Sequence, residues 1–342
     1  MTRLQYHRLR VAEVIEETPD ARSIVLDVPA ELKDAFRFRP GQHLQLHVPC
    51  AAKPVPRCYS LSGVPGEPLR VTVKRMGSGP ASNWLCSRLQ AGDVLDVAVP
   101  AGAFVPKSFE GDFLLFAGGS GITPVMSILR SALAHGEGRV RLFYANRDEA
   151  SIIFRRALDQ LAAAHPRRLD VIHWLDSAQG VPSPSELAQQ VQGLDRPQCF
   201  VCGPGPFMDA AATALKRAGI PHAQIHVERF VSLPDDADEG AVAAPAPGDG
   251  GEVHIEVELD GQLHRVKGVR GQLLLEALED AGLAPPYSCR AGACAACMCR
   301  IEDGEVELVH NHVLDQKDLE EHWILSCQAV MHSERIVVRY PS

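Results

Sequence analysis

Apolar and polar positions alternate in short runs along residues 4–105. His43-Leu44-Gln45-Leu46-His47-Val48 and Leu69-Arg70-Val71-Thr72-Val73-Lys74 repeat with period two, the pattern of strands buried on one face. Leu9 to Ile15 and Ser23 to Val28 are further β-favouring runs, and Pro40-Gly41, Pro54 to Pro56 and Pro65-Gly66 mark the turns between them. Several short strands at this spacing predict a small antiparallel barrel. From residue 112 the pattern changes. Phe113 to Ala117, Arg139 to Tyr144, Leu169 to Leu175 and Gln198 to Gly203 read as strands; Val125 to His135, Phe154 to His165 and Pro206 to Ala218 read as helices. Strands alternating with helices predict a parallel, doubly wound sheet. Residues 233–251 hold few large side chains and cannot bury a core, so they read as a linker. Beyond it, period two returns at Val253–Leu259 and Leu263–Val269 around Asp260-Gly261, a hairpin signal, and a helix follows from Leu273 towards Gly282.

Charge follows this division. Residues 1–232 carry 26 Lys and Arg against 22 Asp and Glu, whereas residues 252–342 carry 8 against 16, within a total of −9. An acidic C-terminal part argues against nucleic-acid binding and suits a charge-steered protein partner or, equally, a solvated surface. No apolar run reaches the roughly 20 residues of a membrane helix. Ten cysteines without an export signal predict reduced thiols and metal ligands in a cytoplasmic protein.

Four of those cysteines carry the sharpest chemistry. Cys289, Cys294 and Cys297 form C-x4-C-x2-C, with Cys327 thirty residues later. This is the plant-type spacing for a 2Fe–2S cluster, and the Ala and Gly between the ligands let the backbone wrap closely around sulfur. A structural zinc site competes but favours paired C-x2-C half-sites. Cys299 enters an apolar run and reads as a packed thiol.

Two glycine-rich turns follow apolar strands: Gly118-Gly119-Ser120-Gly121, and Cys202-Gly203-Pro204-Gly205-Pro206. Such turns let backbone approach a phosphate at a helix start, and two can lie side by side at the carboxyl edge of one sheet. Packing alone also explains glycine there. In the barrel, Arg57-Cys58-Tyr59-Ser60 offers a cation, an aromatic face and a hydroxyl; Ser82 reads as a helix cap whose helix start could receive a pyrophosphate.

Arg57-x-Tyr59-Ser60, Gly118 to Pro124 and Cys202 to Pro206 together resemble the signature set of the ferredoxin–NADP reductase superfamily. Their order, with a C-terminal plant-type ferredoxin segment, resembles its oxygenase reductase components. Val105 to Ser108, Ala81 to Cys86 and His173 to Ser177 resemble the branch serving 3-ketosteroid 9α-hydroxylase more than that serving phenylacetyl-CoA epoxidase. The resemblance implies an FAD-binding β-barrel (1–108), an NAD(P)-binding α/β domain (109–232), a linker (233–251) and a β-grasp 2Fe–2S ferredoxin domain (252–342). It implies that Arg57, Tyr59, Ser60, Val73, Lys74 and Ser82 meet FAD. Gly118, Gly119, Ser120, Gly121, Thr123, Cys202 and Gly203 would meet the nicotinamide nucleotide, and Phe230 would cover the flavin. Arg147 lies where the family chooses between NADH and NADPH, with NADH expected. Cys289, Cys294, Cys297 and Cys327 would hold the cluster. Electrons would run from NADH through FAD and 2Fe–2S to a separate terminal oxygenase, of Rieske type. A flavin and iron–sulfur redox sensor is the alternative of different class.

Overall fold

The computed structural model describes residues 5–77, 79–230, 250–287, 290, 292, 295–311, 313–314 and 316–341. The expected ligands Cys289 and Cys294, and residues 233–249 of the expected linker, lie outside the described residues. Two compact units divide the chain, one running from Tyr6 to Phe230 and the other taking in the C-terminal part from Val231.

The first half of the larger unit is a six-stranded antiparallel sheet of β1 (Tyr6–Thr18), β2 (Ala21–Asp27), β3 (His43–Val48), β4 (Val55–Ser60), β5 (Leu69–Lys74) and β6 (Val94–Ala98). Its order is β4-β3-β6-β1-β2-β5. A bridge between Leu61 and Val71 joins the two ends, so the sheet closes and its edges disappear. Inward residues Leu9, Ile24, Leu44, Leu46, Val71 and Val97 fill the centre, and α1 (Pro80–Ser87) adds Leu85. A buried chain of hydroxyls, Ser23 to Thr72 to Ser62, crosses three neighbouring segments at 2.8 Å per link.

The second half is the doubly wound layer. Strands β7 (Phe113–Gly118), β8 (Val140–Asn146), β9 (Leu169–Leu175), β10 (Gln198–Cys202) and β11 (Ile225–Glu228) form an all-parallel sheet of order β11-β10-β7-β8-β9. Helices α2 (Ile122–His135), α3 (Arg155–Ala164), α4 (Asp176–Gln179), α5 (Pro184–Gln189) and α6 (Gly205–Arg217) lie between the strands in sequence. Because β7 is buried on both faces, its side chains divide by parity. Phe113, Leu115 and Ala117 join one core with Val125 and Ile128 of α2, while Leu114 and Phe116 join another with Met208 and Leu215 of α6. Phe104 meets Phe200 edge-on, with centroids 5.2 Å apart. Arg130 of α2 grips Glu67 of the barrel with two bonds of 2.8 and 2.6 Å.

The C-terminal unit is a β-grasp. Strands β12 (Glu252–Leu259), β13 (Gln262–Val269), β14 (Met298–Asp303), β16 (Trp323–Leu325) and β18 (Arg335–Arg339) form a mixed sheet of order β13-β12-β18-β14-β16, and β15 (Val306–Leu308) pairs with β17 (Ala329–Met331). Helix α7 (Leu274–Asp280) packs Leu274, Ala277 and Leu278 against the sheet; α8 (Gln316–Glu320) is short. Asp260 and Gly261 both take positive φ, 52° and 73°, as the tight turn between β12 and β13 requires. No helix among the described residues is long and apolar enough to cross a membrane.

The Glu67–Arg130 pair makes a prediction about pH. The bonds from Arg130 hold the Glu67 carboxyl below its ordinary value of 4.5. A depressed pKa means that the stabilisation is present above that value and lost as pH falls through the folded-state pKa. Both side chains are partly exposed, which keeps the effect small. Glu67→Gln is expected to lower the melting temperature by a few degrees at pH 7, the difference shrinking as the pH falls through the folded-state pKa of Glu67. Coincident melting temperatures at pH 7 would show that the pair carries no stability, and an offset that does not change with pH would show that it does not depend on the Glu67 charge.

Candidate functional site

The glycine turns form one structure. Strands β7 and β10 are neighbours in register, with Cys202 opposite Ala117, so both turns leave the same edge of the sheet. A Cβ on Gly121 would lie 2.1 Å from the Cys202 carbonyl oxygen; one on Gly203 would lie 3.0 Å from Gly118 Cα. Gly118 has no more room, with Pro204 Cδ 2.7 Å from its missing Cβ. These contacts leave space for hydrogen alone. Gly119 takes φ +51°, after which the chain winds through a short 3-10 turn into α2. No side chain caps α2, and the Ile122 amide donates back to the Gly119 and Ser120 carbonyls, so what an anion would meet there is chiefly the positive end of the helix dipole. The Thr123 hydroxyl donates to the Ser120 carbonyl at 3.0 Å, and burial holds the Cys202 thiol protonated.

Barrel residues approach the same edge. Lys74, at the end of β5, pairs with Asp20 at 3.8 Å and stands 3.7 Å from the position of a Gly119 Cβ. Val73 beside it is buried, as is Ser60 at the end of β4. Tyr59 packs partly against the barrel core; burial raises its hydroxyl pKa, against the pull of Arg57. Ser82 departs from expectation. Helix α1 begins at Pro80 behind Gly79, because proline suits the first helical position and needs no hydrogen-bond acceptor there. Ser82 therefore falls inside the first turn. Its hydroxyl accepts from the Met76 amide at 3.1 Å and donates to the Gly79 carbonyl at 3.0 Å, bracing the loop rather than capping the helix.

Two residues remain at this edge. The Arg147 side chain is 71% exposed and lies 3.3 Å from Asp148, which with Ser151 forms a capping box around the following turn. Phe230 is 46% exposed and joins none of the hydrophobic cores among the described residues. It follows Glu228, the residue paired with Cys202 across β10 and β11.

In the C-terminal unit, Cys297 and Cys327 are buried in a small cluster with Leu275, Leu314 and Leu325. Strand pairing between Met298 and Leu325 sets the two cysteines at the same end of the β14–β16 ladder. Arg290, Gly292 and Ala295 all take positive φ, and a Cβ on Gly292 would meet the His310 carbonyl at 2.5 Å. Cys299 points elsewhere, wholly buried in the main β-grasp core. None of the eight described cysteines is in a disulfide.

Comparison with known proteins agrees with this arrangement. Residues 8–105 match the oxidoreductase FAD-binding domain, 115–213 the oxidoreductase NAD-binding domain and 257–332 the 2Fe–2S iron–sulfur cluster binding domain. The 3-ketosteroid-9-alpha-monooxygenase ferredoxin reductase component of Rhodococcus rhodochrous is 46% identical, covering 97% of this chain and 96% of its own. The chain belongs to the family of flavin and iron–sulfur reductase components of oxygenases. A component of the 1,2-phenylacetyl-CoA epoxidase from Escherichia coli is 35% identical, over 98% of each chain. Full-length CYP116B46 from Tepidiphilus thermophilus superposes with a TM-score of 0.72 at 25% identity, over 97% of this chain but 42% of that longer one. Phthalate dioxygenase reductase shares the fold across 98% of both chains, with a TM-score of 0.59. This reductase is accordingly an oxidoreductase using FAD, NADH and a 2Fe–2S cluster.

The residues fit those groups. The glycine turns leave room for a ligand to approach backbone, and the Asn146 amide is buried at the carboxyl end of β8. The paired thiols of Cys297 and Cys327 offer soft donors. Tyr144 and Asp20, unremarked in the sequence, also converge here. Tyr144 reads as one more apolar strand residue, and Asp20 as a turn residue. Gly121→Ala is expected to force the two turns apart, costing about 1–3 kcal/mol of stability and most of the affinity for NAD+. Calorimetric titration with NAD+ and a thermal melt check this; unchanged affinity would mean that the turns bind nothing.

Proposed function

We propose that this reductase draws electrons from NADH and delivers them, in the cytoplasm, to a separate Rieske-type oxygenase that hydroxylates a 3-ketosteroid. The extent of likeness to the steroid monooxygenase reductases, 46% across nearly the whole chain against 35% to the epoxidase component, is the observation that carries the steroid assignment. We take residues 1–108, 109–232 and 252–342 as the flavin, nucleotide and cluster domains, joined by 233–251.

The roles follow from charge and position. FAD accepts hydride and releases single electrons, and the 2Fe–2S cluster carries one electron at a time. Arg57, Lys74 and the loop braced by Ser82 bind the FAD pyrophosphate, Val73 lines its ribityl chain, and Tyr59 supports the ring. Ser60 presents a buried hydroxyl to the reacting edge of the flavin. Gly118, Gly119, Ser120, Gly121 and Gly203 bind the nucleotide through backbone. Thr123 and the neutral thiol of Cys202 flank the nicotinamide. Phe230 covers the ring face and excludes water until the nucleotide enters. Cys289, Cys294, Cys297 and Cys327 hold the cluster.

Asp148 supports NADH over NADPH. Hydrogen bonds from Ser151 and then Arg147 hold its carboxyl below the usual range, so it is anionic at neutral pH beside Arg147, the cation suited to a 2′-phosphate. Asp148→Asn keeps the capping oxygen and is expected to raise kcat/KM for NADPH several-fold while leaving that for NADH nearly unchanged. An unaltered coenzyme ratio would remove Asp148 from the choice.

The electron path is tested by Cys297→Ser and by a chain ending at residue 232. Both should keep FAD and NADH–ferricyanide turnover, and both should fail to reduce the oxygenase; Cys299→Ser should retain its iron. Oxygenase reduction by the shortened chain at the full rate would mean that flavin serves the partner directly. Support of epoxidase but not of steroid hydroxylation would redirect the substrate assignment.

A further inference from the structure

Tyr144 is wholly buried in the centre of the parallel sheet, next to Ala117 across β7 and β8. Its hydroxyl accepts from the Ile153 amide at 3.3 Å and stands 3.0 Å from the Gly119 carbonyl. Since an amide N–H can only donate, the Tyr144 proton is free to go to Gly119. Burial raises the tyrosine pKa, so that proton stays in place at any working pH. The same Gly119 carbonyl also accepts from the Ile122 amide at the start of α2. Both acceptor sites of that oxygen are thereby used on the protein side. Two residues along β8, on the same strand face, the buried Asn146 amide lies close enough to the Tyr144 hydroxyl to act on it.

We infer that Tyr144 is a positioning residue for nucleotide binding: its hydroxyl ties the Gly119 carbonyl back into the sheet, fixing the left-handed turn so that the cradle presents N–H groups rather than an oxygen to the anionic nucleotide. This rests on the reading of Gly118 to Thr123 as the nucleotide cradle. A carbonyl released towards the diphosphate would oppose it electrostatically, and the turn would lose a bond that holds Gly119 at positive φ. Gly119 itself has open space around its missing Cβ, with only Lys74 Nζ at 3.7 Å. Its conformation is therefore set by this hydrogen bonding and not by crowding.

Tyr144→Phe removes one oxygen and keeps the ring that packs in the core. In the full-length protein carrying its flavin and cluster, NAD+ affinity measured by calorimetry should weaken about tenfold. FAD and iron contents should hold, and hydrogen exchange at residues 119–122 should accelerate. The KM for NADH should rise with kcat retained. A role in core stability alone would lower the melting temperature and leave the NAD+ affinity unmoved. Gly119→Ala provides the second variant: if the hydroxyl acts through Gly119, the double substitution should cost less affinity than the two single costs combined. Affinity within twofold in Tyr144→Phe, or strictly additive costs, overturns the inference. Gly121→Ala separates the two layers. If it abolishes NAD+ binding while Tyr144→Phe does not, this inference falls alone; if neither weakens binding, the cradle itself is misread.

Discussion

The site depends on one close approach, the backbone of Gly121 against the carbonyl of Cys202. It is possible because β7 and β10 are adjacent and parallel, which brings two turns distant in sequence to one edge. The parallel arrangement also aims helix α2 at that edge, with no side chain capping it. Its backbone dipole thus points where an anion is expected. The barrel is locked to the same frame by Phe104 on Phe200 and by Arg130 on Glu67. Lys74 can then stand over Gly119 only because that frame is fixed. Loosen the glycine contact, and cation, turn and helix no longer address one ligand.

Electrostatics divides this site into a neutral interior and a charged rim. Cys202 and Tyr144 are both driven towards their uncharged forms by burial. Arg57, Lys74 and Arg147 keep partial contact with water, where a charge costs little. A flat, uncharged ring system suits the interior and a diphosphate suits the rim. Hydride transfer between two rings needs a place where water is excluded and no fixed charge lies beside the reacting atoms. The distribution supplies that without any buried ion pair.

Much of this was legible in the residues, for reasons that differ by region. Strands β7, β8 and β10 are apolar runs ended by glycine turns, so period and punctuation coincide. The cysteine spacing is set by the reach of four thiolates around one cluster and is visible at any level of fold. Strand β6 and the short strands β14 to β18 carry weak period, since three to six residues can fit several patterns and pairing partners decide them. Ser82 misleads because a serine before an apolar run resembles a cap, whereas Pro80 already fixes the helix start. The exposure of Phe230 was not legible at all. A lone aromatic after a strand carries no sign of which side it faces.

Cys299 shows how local geometry separates a ligand from its neighbour. In an unbroken strand, Cys297 and Cys299 would share one face, since side chains repeat every second residue. Strand β14 begins only at Met298, and the Met298 amide turns back to the Ala295 carbonyl, with Ala295 at φ +53°. That turn uncouples Cys297 from strand parity and places it in the small cluster with Cys327. Cys299, inside the strand, pairs opposite Ile324 and points into the main core beside Tyr340. Burial raises its thiol pKa steeply. A left-handed alanine therefore decides which sulfur can reach the cluster loop, although two residues separate the candidates and composition does not distinguish them.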